Sequence, residues 1–126
     1  MEINRPEILA EVEAAFAQYE TALVNNDIAK LNALFHDDQR TIRYGVAENL
    51  YGYDEIAAFR RSRRTDQSSR TLSRTVITTF GDSFATAMTL FDLPPGEPGR
   101  QSQTWVRFPS GWQIVAAHVS RARSVP

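Results

Sequence analysis

The chain has 126 residues, 42% hydrophobic and 23% charged, with a net charge of -1, and this length predicts one globular domain over residues 1–126. The absence of cysteine excludes a thiol nucleophile, a thiolate zinc site and a redox dithiol, and the near-neutral charge argues against nucleic-acid binding. Because no apolar run approaches the roughly 18 residues of a membrane span and the start lacks a secretion signal, we expect a soluble, cytoplasmic protein that binds no membrane.

Helices are predicted in the first half of the chain. The first covers about residues 6–25, and Asn4 with Glu7 resembles a capping box in front of it. Its inward stripe consists of apolar residues at helical spacing, namely Ile8, Val12, Phe16, Tyr19 and Leu23. Asp27 is predicted to cap a short second helix, and a third helix covers about residues 53–62.

Strands are predicted for most of the second half. A short β-prone stretch at residues 41–45 precedes the third helix, and after a polar loop at residues 63–70 the period of hydrophobicity changes to two. Strands over residues 70–80, 83–92, 100–108 and 112–121 are joined by tight turns at 81–82 and 110–111 and a longer loop at 93–99. The order of elements predicts an α+β domain in which a bent antiparallel sheet wraps around the long helix, with a pocket between them.

Tyr19 and Arg43 are the first candidate site residues. Tyr19 lies on the apolar stripe of the long helix, so its ring should be buried and its hydroxyl must find a partner. That partner is either a backbone or water group in the core or a ligand in the pocket. Arg43 stands in the middle of a short strand, and it either points to solvent or enters the pocket, where it could hold a carboxylate bidentately.

His118 is the third candidate. Both faces of the closing strand carry apolar residues, so both faces should be covered. A two-residue turn at Ser110 and Gly111 would place Gln103 opposite His118, and a change of one residue in the loop would place Ser102 there instead. A neutral core imidazole is an equally good explanation of His118.

The other polar residues can be explained without a role in a site. Glu48 could serve as a base, although a loop carboxylate is more often solvated. His36 beside two aspartates could bind a metal, but a solvated helix end explains it better, so we predict neither a metal site nor a cofactor. A basic run closes the third helix, where cations suit the negative end of the helix dipole: Arg60, Arg61, Arg63 and Arg64.

Several segments resemble known families. The order of elements, the turn at residues 51–56 (Tyr-Gly-Tyr-Asp-Glu-Ile) and the closing residues 111–115 (Gly-Trp-Gln-Ile-Val) with His118 and Ser120 resemble the cone-shaped superfamily of nuclear transport factor 2, the SnoaL-like polyketide cyclases and ketosteroid isomerase. This cone carries enzymes and non-enzymes alike. Residues 19–20, 41–52 and 99–105 resemble, more specifically, the family of AtzH, the decarboxylating amidohydrolase of cyanuric acid breakdown.

The closer resemblance implies a chemistry. It implies hydrolysis of 1,3-dicarboxyurea to allophanate in a homodimer without a metal, with Tyr19 and Arg43 as site residues. Arg43 would anchor a carboxylate of this small anionic N-carboxylated substrate, and Tyr19 would hydrogen-bond the departing carbamate or donate a proton. From position alone, His118 and Gln103 could orient substrate or water.

Two other classes of function stay open. An isomerase or cyclase of the same fold would need a large apolar pocket containing a carboxylate base, for which Glu48 is the candidate. A non-catalytic homodimeric binding or assembly module would instead have its pocket filled by side chains. Such a module would pair through the outer face of the sheet, whose strands carry apolar residues on both sides.

Overall fold

Helices pack inside a curved sheet in the computed structural model, which describes residues 1–62 and 66–122. The elements in chain order are α1 (Pro6–Val24), α2 (Ile28–Leu34), β1 (Ile42–Tyr44), β2 (Asn49–Tyr51), α3 (Tyr53–Ser62), β3 (Thr71–Phe80), β4 (Phe84–Asp92), β5 (Gly99–Phe108) and β6 (Gly111–Arg121). This arrangement confirms the predicted α+β cone. Arg63 and Arg64 of the basic run, with part of the predicted 63–70 loop, lie outside the described residues.

The long helix α1 buries its predicted apolar stripe, but the predicted capping box is wrong. Arg5 occupies the N-cap position and makes no side-chain cap hydrogen bond. Asn4 has a left-handed backbone with φ of 59°, so its carboxamide points towards β3 instead. The side-chain Oδ1 of Asn4 accepts a hydrogen bond from the Thr79 backbone amide at 2.9 Å, and the backbone amide of Asn4 donates one to the Thr79 carbonyl at 3.0 Å. Asn4 therefore ties the start of the chain to the sheet.

The short helix α2 begins as predicted. The Asp27 carboxylate accepts from the Lys30 amide at 3.1 Å, which satisfies one of the free N–H groups of the first turn. Its apolar side, with Leu31, Leu34 and the following Phe35, is buried. Helix α2 packs against α1 and β6.

The sheet has six strands in the order β2-β1-β6-β5-β4-β3. The four-strand meander β3 to β6 is antiparallel as predicted, whereas β1 pairs parallel with β6 and antiparallel with β2. Strand β2 was not predicted, because three residues are too few to display a period of two. Only Leu50 of this strand is buried, and pairing with β1 holds it in place.

Two irregularities bend the sheet and set its register. Arg74 has a φ of 52° at a bulge in β3, and a second bulge lies where Thr104 pairs with Ala116 but Trp105 pairs with Ile114. Such bulges increase local twist and curvature. The last turn also begins one residue earlier than predicted, because Phe108 pairs directly with Gly111.

The predicted pairing of Gln103 with His118 is therefore wrong. The earlier turn shifts the β6 partner of each β5 residue by two positions from the predicted one, and the bulge shifts it back by one position. Ser102 consequently lies opposite His118, as in the alternative register, and Gln103 lies opposite Ala117.

The core lies between α1 and the inner face of the sheet. Ala85, Ala87, Trp105 and Ile114 are completely buried there. On the outer face, four large apolar side chains are 38–57% exposed: Val76, Phe84, Met88 and Leu90. Within the described ranges, none of the helices combines the length and the apolar character needed to cross a membrane.

Candidate functional site

Two adjoining cavities open between α1 and the inner face of the sheet. Their volumes are about 60 and 240 Å³, and we call them the helix-side cavity and the strand-side cavity, respectively. Both are lined by Tyr19, Leu23, Arg43 and Gln67, so the two candidates on which the sequence analysis depended meet at the boundary between them.

Tyr19 forms part of this shared wall. Only 3% of the residue is exposed, and its ring packs against Phe35 with centroids 6.3 Å apart. Among the described residues, the Tyr19 hydroxyl has no hydrogen-bond partner, so it is free to bond to a molecule in the cavity. Helical spacing places Tyr19 on the same face as Phe16 and Leu23, which is why the sequence pattern could find it.

Arg43 also enters the cavities rather than the solvent. It lies on β1 between Leu50 of β2 and Ala117 of β6, and its side chain is 17% exposed. Its Nη1 donates to Glu48 Oε1 at 2.9 Å, and its guanidinium carbon lies 6.0 Å from the centre of the Phe59 ring. One edge of the guanidinium is thus held by a carboxylate on the chain that follows β1.

Glu48 lies in the connection at residues 45–48, where the structure makes it a partner of Arg43. Its Oε2 accepts from the Ala47 amide at 3.2 Å, and its carbonyl accepts from the Gly45 amide at 2.9 Å. A Cβ on Gly45 would lie 1.8 Å from Glu48 Oε1, so only glycine leaves room for the carboxylate at this point. Glu48 lines the strand-side cavity.

Arg60 is a site residue that the sequence analysis missed. It was assigned to a basic run at the helix end, but its side chain lines the helix-side cavity. Nη1 donates to Asn32 Oδ1 at 3.0 Å, and the guanidinium carbon lies 4.3 Å above the Phe35 ring. Burial lowers the pKa of Arg60 to about 10, and repulsion from Arg43 adds to the lowering. The signal was present, because Arg60 follows the buried Ile56 by four residues and shares its helix face.

Arg70 and Arg121 form a second cationic group in the strand-side cavity. Both guanidiniums lie over the Phe91 ring, with their carbon atoms 4.2 and 5.2 Å from its centre. Phe91 can lie flat there because Gly99 has no side chain, since a Cβ would be 1.9 Å from the ring. Arg121 also donates to the Glu97 carbonyl. The sequence analysis placed both arginines at strand ends and assigned neither to the site.

A chain of buried polar contacts starts at Arg70. Its Nε donates to Glu20 Oε2 at 2.9 Å and its Nη2 donates to Gln101 Oε1 at 2.7 Å. Burial raises the pKa of Glu20, and the charge of Arg70 opposes this effect only in part. In the described part of the chain, Glu20 Oε1 and Gln101 Nε2 are buried and have no hydrogen-bond partner.

Gln103 and His118 do not join Tyr19 and Arg43. Gln103 faces the interior and is 2% exposed, but its Oε1 accepts from Trp105 Nε1 at 3.1 Å and it lines neither cavity. His118 is exposed on the outer face, where its ring makes an edge contact with Tyr44 at 6.0 Å. The bulge in the β5–β6 pair turns Ala117 inward and His118 outward, so His118 cannot orient a molecule held by Arg43.

His36 was the only residue considered for a metal. Its ring stacks on Phe108 at 3.9 Å, and its Nδ1 lies 3.1 Å from Gln113 Oε1. No group of three or more His, Asp or Glu residues that could hold a metal ion is present among residues 1–62 and 66–122. The stacking and the amide contact account for His36.

The charge of the two cavities favours an anionic occupant. Of the described residues that line them, four are arginines and two, Glu48 and Asp66, are acids. Partly buried guanidiniums that outnumber their carboxylate partners are stabilised when an anion enters. The cavities are also open rather than filled by side chains.

The fold and this site define the class of protein. The chain has the nuclear transport factor 2-like fold: an NTF2-like protein of unknown function from Pseudomonas putida matches it with a TM-score of 0.74 at 14% identity, over 93% of this chain and 88% of the other. The chain belongs to the AtzH-like family, whose model matches residues 1–124. The resemblance found in the sequence is thereby confirmed.

Two solved structures are much more similar. A protein of unknown function from Pectobacterium atrosepticum is 51% identical with a TM-score of 0.93, over 96% of this chain and 95% of the other. A cystatin-like fold protein from Burkholderia xenovorans is 50% identical with a TM-score of 0.95, over 99% of both chains. No curated protein matches this chain.

Proposed function

We propose that the protein is a metal-independent hydrolase of C–N bonds that converts 1,3-dicarboxyurea to allophanate. The observation that carries this proposal is the meeting of Tyr19 and Arg43 on the shared wall of two open, arginine-lined cavities. Membership of the AtzH-like family supports the same substrate class, and the sequence resemblance implies that the family's site residues fall on Tyr19 and Arg43.

The arginines match the demands of this reaction. The N–C bond to one carboxylate breaks, its electron pair passes to the urea nitrogen, and that nitrogen takes up a proton. The departing carboxyl group leaves as carbon dioxide or, with water, as bicarbonate. Arg43 and Arg60 would bind the substrate and stabilise negative charge that develops on the urea, and an N-carboxylate needs no stronger electrophile because it loses carbon dioxide readily.

Tyr19 is the proposed proton donor to the urea nitrogen. Its hydroxyl reaches the cavities and has no hydrogen-bond partner among the described residues, so substrate would be its first partner. The buried ring fixes the direction in which the hydroxyl points, because Phe35 packs against it. Proton transfer from a fixed donor requires less reorganisation than transfer from bulk water.

Two other parts of the proposal concern the assembly and its location. The exposed apolar residues of the outer face, with Met88 and Val76 at about half exposure, would be covered in a homodimer. A solution mass of one chain at micromolar concentration would contradict the homodimer. We also propose that the protein works in the cytoplasm, where fractionation of its host cells would find it.

The proposed activity is tested by turnover. Purified protein is incubated with 1,3-dicarboxyurea, and allophanate is followed by carbon-13 NMR against the rate in buffer alone. We expect a large acceleration that a chelator such as EDTA leaves unchanged. A rate equal to the buffer rate, with the compound still bound, would contradict the enzyme and favour the non-catalytic binding module of the same fold.

The isomerase or cyclase alternative fits the cavity poorly. Such chemistry needs a free carboxylate base in an apolar pocket. The candidate base, Glu48, instead lies 2.9 Å from a guanidinium nitrogen of Arg43 in a cavity lined by three arginines.

A further inference from the structure

Gln101 is the clearest unexplained polar group of the strand-side cavity. It is 3% exposed, it lines the cavity, and within the described residues its Nε2 has no hydrogen-bond partner. An unpaired buried donor of this kind destabilises the fold, so buried donors normally have a hydrogen-bond partner. Gln101 borders the strand-side cavity, so an occupant of that cavity is the partner that we consider.

Arg70 fixes which way the Gln101 carboxamide faces. Arg70 has only donors, so the group that lies 2.7 Å from its Nη2 must be the amide oxygen. The NH₂ group is therefore turned away from Arg70. Glu20 in turn holds Arg70 from the other side with a 2.9 Å hydrogen bond. Arg70 and Glu20 are positioning residues, and Gln101 presents two N–H donors.

Arg121 supplies a charge beside these donors. It lies over the same Phe91 ring as Arg70, and it lines the same cavity as Gln101. Stacking on an aromatic ring holds a guanidinium in one plane. Arg121 uses Nη1 to donate to the Glu97 carbonyl, and its Nη2 and Nε groups make no other hydrogen bond among the described residues. The carboxamide and the guanidinium together match the two oxygens of a carboxylate.

We propose that Gln101 and Arg121 form a second carboxylate subsite, so that the cavities bind a dicarboxylate with one end at Arg43 and Arg60 and the other at this subsite. This inference rests on the proposed function and extends it. The substrate class is then a short, planar compound with a carboxylate at each end, and a compound with a single carboxylate would leave the Arg121 guanidinium without an anionic partner at this subsite. Phe91 would flank the flat centre of the ligand.

The test is a binding comparison that needs no turnover. 3-Oxoglutarate has the same chain length as 1,3-dicarboxyurea, with carbon in place of nitrogen, and glutarate lacks the central carbonyl. Glutaramate is the matched compound in which one carboxylate is an amide. Calorimetry on the full-length protein should show that both dicarboxylates bind at least about tenfold more tightly than glutaramate.

Two variants test the subsite itself. Gln101→Glu keeps a partner for Arg70 but replaces the donors with an oxygen, and Arg121→Gln removes the charge at a strand end. Each should bring dicarboxylate affinity down to that of glutaramate, while glutaramate affinity and the melting temperature stay near those of the wild type. The control is Arg40→Gln, because Arg40 is exposed and pairs with Asp38 outside both cavities.

Three results would overturn the proposal. They are equal binding of dicarboxylates and glutaramate by the wild type, no dicarboxylate binding at millimolar concentration, or unchanged selectivity in both variants. The proposed function is judged separately by turnover of 1,3-dicarboxyurea. Turnover without dicarboxylate selectivity would reject the subsite and support the proposed enzyme activity. Dicarboxylate selectivity without turnover would support the subsite and reject the proposed enzyme activity.

Discussion

Arg43 and Glu48 form a partly buried ion pair across the connection between β1 and β2, with Nη1 and Oε1 2.9 Å apart and side-chain exposures of 17% and 14%. The pair lies on the wall of the strand-side cavity, so an incoming carboxylate must share Arg43 with Glu48 or displace it. Because the two anions compete for one guanidinium, Glu48 limits how tightly the site holds its ligand.

Replacement of Glu48 should therefore strengthen carboxylate binding. In Glu48→Gln the guanidinium loses its competing anion, and we expect glutarate to bind several-fold more tightly. Calorimetry measures the change. Glu55→Gln is the control, because Glu55 is an exposed carboxylate that accepts a hydrogen bond from the Tyr51 amide. Weaker binding by Glu48→Gln would mean that Glu48 orients Arg43 instead of competing for it.

Loss of the Arg43 charge should abolish most of the activity. Arg43→Gln retains a hydrogen-bonding group of similar length but removes the cation, and we expect turnover of 1,3-dicarboxyurea to fall by about 100-fold or more. The measurement is the initial rate of allophanate formation. Arg40→Gln should retain the full rate, and an Arg43→Gln variant as active as this control would place the reaction elsewhere.

Removal of the Tyr19 hydroxyl should affect chemistry much more than stability. Tyr19→Phe keeps the buried ring that packs on Phe35, and the hydroxyl has no partner among the described residues whose loss would destabilise the fold. We expect a rate lower by about 100-fold or more with a nearly unchanged melting temperature. Tyr51→Phe, at an exposed tyrosine that bonds to Tyr44, is the matched control. A normal rate in Tyr19→Phe would exclude Tyr19 as proton donor.

Asp38 should make stability depend on pH in the acid range. Hydrogen bonds from the Arg40 side chain and amide hold the pKa of Asp38 well below its usual value of 3.8. Its stabilisation is therefore fully present above about pH 4 and is lost as the pH falls towards the lowered pKa. Melting temperatures of Asp38→Asn should lie below the wild type at pH 7 and approach it at low pH. Asp37→Asn, at the exposed neighbouring carboxylate, should show no such convergence.

Local patterns in the sequence were enough to locate most elements and two site residues. The stripe of α1 includes Tyr19 because helical spacing is a property of consecutive residues, and the Asp27 cap needs only the three residues that follow it. Arg43 was recognised as a polar residue in an otherwise apolar strand. Its direction was left open, because alternation shows which residues share a face but not which face is buried.

The tertiary structure decided which side chains share the cavities. A bulge and an earlier turn in the β5–β6 pair, both set by pairing across the sheet, turned His118 outward and Ala117 inward. Arg60, Arg70 and Arg121 come from separate parts of the chain and line the two adjoining cavities only when the sheet curves around α1. Strand register and curvature depend on contacts between residues far apart in the chain, and a shift of one residue exchanges the faces of a strand, so local periodicity cannot determine them.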